Sequence, residues 1–183
     1  MSKIKQPTKA EILDMLEQSN AIEQVHGAEA LKDAYTAWKY GLKNTDKLTV
    51  DTILGIHKLL MKNLEPGIAG KIRNCDVYIG GQRKWFLTET IIKEELQQII
   101  NLINSPQFGR LKRKYNNEGK EDDYAKHVHV MFENIHPFTD GNGRAGRCLY
   151  NIHRLKLGLP LHIIHADWPL LEGEQRQYYS WFR

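Results

Sequence analysis

One interruption in the hydrophobic pattern constrains the fold more than any other feature. Tyr124, Val128, Met131, Phe132 and Ile135 recur at the period of a single helical face. The run stops at His136-Pro137, because proline disfavours helix at the residue before it. A short loop reaches Gly143. From Arg144 to Leu157 the helical pattern returns, with Ala145, Cys148, Leu149, Ile152 and Leu155 expected to face inward, and Gly158 and Pro160 terminate it. A helix, a glycine-containing loop and a second helix are thus written into one stretch of chain.

The remaining segments are also mostly helical. Thr8 to Gln18 reads as a first helix with Ile12, Met15 and Leu16 on one face, and about Ala28 to Leu42 as a second. A third opens at Thr49 or Asp51, both good caps, and carries Ile53, His57, Leu60 and Leu64 until Pro66 and Gly67 end it. Lys71 to Leu87 breaks the pattern. There, Val77-Tyr78-Ile79, Gly80-Gly81 and Trp85-Phe86-Leu87 read as two short strands around a tight glycine turn. Thr88 then opens a helix with Ile92, Leu96, Ile99, Ile100 and Ile103 on one face. Asn104 to Lys120 is polar and reads as a loop with some helix, and Leu171 to Phe182 as a last helix. The expected fold class is all-α with one β-hairpin flap.

Composition excludes several function classes. With 183 residues the chain fits a single core. No apolar run approaches the roughly 20 residues that span a bilayer, and the start lacks an apolar block with a cleavage site, so no membrane partner and a cytoplasmic setting are expected. Cys75 and Cys148 read as free thiols. The formal charge is +4, with Arg110, Lys112, Arg113 and Lys114 clustered; Glu118, Glu121, Asp122 and Asp123 follow at once, so the cluster reads as a solvated loop rather than a nucleic-acid surface. The oligomeric state stays open, a homo-oligomer included.

The chemistry is concentrated in His136-Pro137-Phe138-Thr139-Asp140-Gly141-Asn142-Gly143-Arg144-Ala145-Gly146-Arg147. Gly141 and Gly143 lack side-chain bulk, so amides between them can turn toward one point where a helix begins with unpaired N–H groups and a positive dipole end. Such a nest binds phosphate. Asn142 adds an amide donor. Arg144 and Arg147, three apart, can both reach one polyanion. Asp140 suits the single carboxylate that nucleotide-bound magnesium often takes, manganese serving as well. His136 stands at the mouth, where a neutral imidazole can accept a proton from a hydroxyl. Phe138, apolar among polar residues, is expected to anchor the loop. A glycine turn, a histidine before proline or a pair of helix arginines is common alone; all of them within so short a segment point to a nucleotide site.

This segment resembles the signature of the Fic family at every defined position: His, Pro, Phe, an acid, Gly-Asn-Gly-Arg and a second Arg three residues later. The resemblance extends to His129, Phe132 and Ile135 upstream and to the Val77–Phe86 hairpin, covering roughly Leu48 to Phe182. It implies an N-terminal segment 1–47 before a catalytic core 48–183, and protein adenylyltransferase activity, the transfer of AMP from ATP to a hydroxyl of a target protein. By the same resemblance His136 is the base and Asp140 holds Mg2+. Gly141, Asn142 and Gly143 bind the α- and β-phosphates, Arg144 the β-phosphate region and Arg147 the γ-phosphate. The target lies along Val77, Tyr78 and Ile79 by strand addition.

Ser19-Asn20-Ala21-Ile22-Glu23-Gln24 resembles the inhibitory helix motif found N-terminal to many Fic cores, with Ser19 and Glu23 at the motif positions and Gln24 departing from the usual Gly or Asn. The implied logic is that Glu23 pairs with Arg147 in the place of the γ-phosphate. Gln24 puts the local turn in question, since Gly and Asn both tolerate positive φ. Three alternatives stand beside AMP transfer: a Doc-type kinase that moves the γ-phosphate, an enzyme that removes AMP, and a binding module without turnover. Intact His136 and Asp140 argue against the last.

Overall fold

The structure, a computed structural model, describes residues 6–79, 82–85, 87–105, 120–167 and 173–182. It is all-α with one β-hairpin. Helix α1 spans Lys9–Ile22 and starts on a reciprocal cap: Thr8 Oγ1 accepts from the Glu11 amide at 3.2 Å, and Glu11 Oε2 accepts from the Thr8 amide at 2.6 Å. The helix continues past the expected end at Gln18. Ser19, Asn20 and Ile22 are buried, so tertiary cover holds one more turn. Helix α2 spans Ala28–Lys43, and a 3-10 turn Thr45–Lys47 leads to α3, Val50–Met61. Thr49, not Asp51, caps α3. The apolar stripe ends at Leu60 and Met61, before Pro66; Leu64, expected on that face, is 41% exposed.

Strands β1 (Val77–Ile79) and β2 (Gln82–Lys84) pair antiparallel with Val77 opposite Lys84, Tyr78 opposite Arg83 and Ile79 opposite Gln82. The expected second strand, Trp85-Phe86-Leu87, is therefore corrected to one starting three residues earlier. With Gln82 opposite Ile79, the register leaves Trp85 beyond the last pair. Gly80, Gly81 and Phe86 lie outside the described residues. Tyr78 and Trp85 stand 69% and 67% exposed, and the Arg83 guanidinium lies 4.0 Å from the Trp85 ring centroid.

Helices α4 (Glu89–Asn104, capped by Thr88), α5 (Lys120–Ile135), α6 (Asn142–Leu157) and α7 (Glu174–Ser180) complete the domain. The last is shorter than Leu171–Phe182, of which Leu171 and Glu172 lie outside the described residues, as do Arg110, Lys112, Arg113 and Lys114. Helix α6 occupies the centre, with α1, α2, α3 and α5 packed around it. Its one-faced reading is corrected: Arg144 to Arg154 are all buried, polar residues included. A helix covered on all sides has no solvent face on which to display polarity, and its polar side chains must find internal partners. One apolar core joins Met15, Trp38, Ile53 and Ile56 to Leu96, Phe132, Leu149 and Ile152. Burying each of these large side chains contributes about 1.5–3 kcal/mol. Among the described residues no helix is long and apolar enough to cross a membrane.

Candidate active site

The loop between α5 and α6 is held from below. Phe138 is fully buried and stacks on His57 of α3, with ring centroids 3.7 Å apart and planes 2° from parallel. The Gly70 amide donates to His57 Nδ1 at 3.0 Å, which leaves the ring proton on Nε2, and Nε2 donates to the Asp140 carbonyl at 2.9 Å. Burial lowers the His57 pKa to about 4, so this clasp stays neutral. Gly141 caps α6 with φ +76°, and a Cβ there would lie 2.8 Å from Met61 Sδ. Both the left-handed backbone and the close approach require glycine.

The Asn142 side chain braces the loop: Oδ1 accepts from the Phe138 amide at 2.9 Å, and Nδ2 donates to the Phe138 carbonyl at 2.8 Å. Both ends of the carboxamide thus tie the loop to the first turn of α6, a role that the expectation of a donor for the nest did not include. Gly143 lies in the same first turn. A Cβ on it would sit 2.2 Å from Glu23 Oε1 and 2.9 Å from Arg147 Nη1, so its bareness is what lets a carboxylate reach the helix end.

His136 closes α5 with φ +49°, a left-handed conformation uncommon outside glycine. Such strain persists where surrounding bonds fix it. Here Arg73 Nε donates to the His136 carbonyl at 2.8 Å, and the Arg73 amide to the Pro137 carbonyl at 2.9 Å. His136 Nδ1 lies 3.3 Å from the Glu133 carbonyl, which can only accept. That contact keeps the proton on Nδ1 and makes Nε2 the proton acceptor.

The two arginines are buried and differently engaged. Arg144 Nη2 lies 3.0 Å from Met61 Sδ and 3.9 Å from Asp140 Oδ2, and its Nε has no hydrogen-bond partner among the described residues. Asp140 itself is 62% exposed at its side chain. Arg147 meets α1: Nε donates to Ser19 Oγ at 2.9 Å, and Nη2 donates to the Ser19 carbonyl at 2.9 Å and to Glu23 Oε1 at 2.8 Å. Nη1 reaches the Tyr178 hydroxyl at 3.3 Å. The guanidinium is thus shared between Ser19 and Glu23 rather than forked onto one carboxylate. Burial works against its charge, but Tyr178 and Glu23 outweigh this and hold its pKa above the ordinary arginine value. Ser19, Glu23, Gly143 and Arg147 come together, and His136 and Asp140 stand at the loop's outer edge. Val77, Tyr78 and Ile79 lie in the hairpin, which Arg73 joins to the loop.

Glu23 ends α1, and the next residues form a Schellman turn, with the Gln24 amide on the Ala21 carbonyl at 2.9 Å and the Val25 amide on the Asn20 carbonyl at 3.0 Å. Gln24 therefore takes φ +56°, the conformation that Gly or Asn would adopt more cheaply. Gln24→Gly is expected to stabilise the protein by about 1 kcal/mol, a rise of about 2–4 °C in Tm. An unchanged or lower midpoint in thermal melts would show that the turn carries no strain.

Residues that sequence reasoning missed supply the frame. Arg73 and His57 hold the loop, and Glu133 sits beneath it. Glu133 Oε2 is 3.9 Å from His136 Nδ1, and Oε1 is 3.9 Å from His129 Nε2. Burial pushes its carboxyl up to about 8, against the pull of Arg147 and with the push of Glu23. A charged residue beside an apolar helix stripe, and a histidine within one, were the available signals. His129, bonded to the Tyr178 hydroxyl at 3.0 Å, is lowered to about 3 by burial and by Arg147. Tyr178 is buried in a small cluster with Ile22 and Ile164, against which Trp181 and Phe182 pack. The depressed values of His57 and His129 fix a sign. Unfolding lets both imidazoles regain their ordinary value of 6.5, so the stability they contribute is intact above pH 6.5 and is lost as pH falls toward 4. Tm is expected to drop steeply across that window, and less steeply in His57→Gln. A parallel drop in the variant would exclude His57 as a source.

The Fic/DOC family model matches residues 47–153. Protein adenylyltransferase fic-1 of Caenorhabditis elegans is 30% identical over 125 residues, which make up 68% of this chain and 23% of that protein. Protein adenylyltransferase Fic of Drosophila grimshawi is 28% identical over 137 residues, 75% of this chain and 25% of that protein. The chain thus spans about a quarter of the curated relatives it matches. The solved structure of C. elegans Fic-1, residues 134–508, superposes with a TM-score of 0.69 at 20% identity, covering 95% of this chain and 55% of that one, a likeness of fold. The family match takes in the whole segment from His136 to Arg147, and the chain belongs to the Fic/DOC family.

Proposed function

We propose that the protein is an adenylyltransferase that moves AMP from ATP onto a hydroxyl of a target protein, with segment 1–47 acting as a brake on core 48–183. One observation carries the reading. Glu23's carboxylate lies against Gly143 at the first turn of α6 and on the buried Arg147, so the site is an anion seat that a carboxylate can fill. In the reaction the γ-phosphate takes that seat. The backbone of Gly141, Asn142 and Gly143 and the guanidinium of Arg144 hold the inner phosphates. The target hydroxyl attacks the α-phosphorus, His136 Nε2 takes its proton, the bond to the β-phosphate oxygen breaks, and pyrophosphate leaves. Catalysis is then positioning and charge stabilisation with one proton removed.

Among the described residues no three acidic or thiol/imidazole side chains converge on a metal position. The single exposed carboxylate of Asp140 fits instead a hard cation that arrives with the nucleotide and takes its other oxygens from phosphate and water. Mg2+ there, or Mn2+, would neutralise phosphate charge. Asp140→Ala is expected to lower the rate about tenfold or more and to raise the Mg2+ concentration needed for half-maximal rate; full activity in chelator would remove the metal from the reading.

The deciding experiment is Glu23→Gly chain incubated with ATP labelled at the α- or the γ-phosphorus. Label on protein from α-labelled ATP alone supports adenylyl transfer. Label from γ-labelled ATP alone would make the protein a kinase of the Doc type, and loss of AMP from a modified protein would make it a removal enzyme.

A further inference from the structure

We propose that Arg73 is a positioning residue that fixes the height of the hairpin against His136, and so decides which hydroxyl of a docked chain meets the base. The inference rests on the adenylyltransferase reading.

Arg73 stands just before β1 and is 2% exposed. Its Nε, Nη1 and backbone amide all donate to carbonyls at one junction. Nε reaches the His136 carbonyl at 2.8 Å. Nη1 reaches the Cys75 carbonyl at 2.8 Å and the Trp85 carbonyl at 3.1 Å. Those two carbonyls flank the hairpin, one before β1 and one after β2. The Arg73 amide adds the Pro137 carbonyl at 2.9 Å. Among the described residues no carboxylate lies within ion-pair distance of it. Asp76 and Glu95 favour its charge from a distance, but a buried cation with no direct ion pair is costly unless its donors are well used. This one is spent on joining three separate backbone points.

The junction matters because His136 is held with φ +49°. The direction of its carbonyl, and with it the stance of the imidazole, depends on the bond from Nε. The same guanidinium holds both ends of the hairpin. A chain added to the hairpin edge presents alternate side chains to one face, and a slip of one residue exchanges them. Register against the hairpin selects the hydroxyl only if the hairpin is fixed relative to the base, and Arg73 is the part that fixes it. Lysine cannot replace it, since one ammonium does not reach three carbonyls in a planar fork.

Arg73→Lys and Arg73→Met are made in the Glu23→Gly chain. Four quantities are read: Tm, the Kd for ATP with Mg2+, the initial rate of self-modification from α-labelled ATP, and amide hydrogen exchange over 74–85 and 136–141. Transfer is expected to fall about tenfold or more in both variants, because a shift of the order of 1 Å at the reacting atoms is felt directly. ATP affinity stays within about twofold, since the phosphates are held by other groups. Exchange rises in both segments together. Transfer in Arg73→Met equal to the parent, exchange rising in the hairpin alone, or full rescue by lysine overturns the proposal. So does loss of ATP binding together with transfer, which would leave Arg73 a support of the fold. If the Glu23→Gly parent itself transfers nothing, the functional reading has failed, and joint exchange still reports whether Arg73 ties the hairpin to the loop.

Discussion

Replacing His136 by alanine is expected to lower AMP transfer about a thousandfold while ATP still binds. A positioned general base contributes typically 10²–10⁴-fold, and in the proposed reaction it would work on a hydroxyl that is almost wholly protonated at neutral pH. The phosphates are assigned to the α6 N-terminus, Arg144 and Arg147, none of which depends on the imidazole, so Kd for ATP should change little. The geometry calls for a second variant. His136 has φ +49°, and alanine tolerates that region poorly, whereas asparagine enters it readily. His136→Asn therefore keeps the loop while removing the base. Both variants should be equally inactive, and the asparagine variant should melt closer to the parent. If His136→Asn turns over at the parent's rate with the loop intact, His136 is not the base, and the proton must leave by another route.

The helix–loop–helix frame of the site was legible because it rests on local rules: a stripe at helical period, a proline that stops it and glycines that reopen it. Ser19 and Glu23 lie beyond the helix end expected at Gln18, and it was the motif resemblance that singled them out; both do meet Arg147. What the sequence could not convey depends on contacts between distant segments. Arg73 is 63 residues from His136, and His57 is 83 from Asp140; nothing local marks either as a partner. The second strand was misplaced because aromatic residues suggest strands, whereas the pairing itself runs from Ile79–Gln82 to Val77–Lys84. Asn142 was read only in part for a related reason. In a motif it reads as one more donor, but a carboxamide can also bond a loop's own amide and carbonyl at once, and here it does. Gln24 shows the limit of pattern reading from the other side. The residue type departs from the expected Gly or Asn, yet the Schellman turn forms around it.

Glu23→Gly is expected to raise AMP transfer by about tenfold to a hundredfold, self-modification included. Coupling between a held segment and a ligand typically amounts to 1–3 kcal/mol, or about 5–150-fold, and the Glu23 contact falls in that class for two reasons. Its partner Arg147 is buried, which strengthens the pair, but the Glu23 side chain is 35% exposed, which weakens it through solvent screening. The carboxylate is also lodged against Gly143, so it excludes a phosphate by volume as well as by charge. Two companion variants separate these effects from loss of the site. Arg147→Ala removes the seat together with the brake and should lose productive ATP binding. Gly143→Ala should displace Glu23, because the added Cβ falls 2.2 Å from Oε1, yet it should not activate, since the same methyl group would stand in the seat proposed for the γ-phosphate. Gln24→Gly, by relieving the left-handed turn that ends α1, should hold Glu23 more firmly and lower basal transfer. Initial rates with α-labelled ATP at saturating Mg2+ rank the four variants and the wild type. The expected order is Glu23→Gly first, wild type next, Gln24→Gly below it, and the Arg147 and Gly143 variants last. A Glu23→Gly chain no faster than wild type would mean that the carboxylate leaves the seat without resistance when ATP arrives, and that α1 is not a brake.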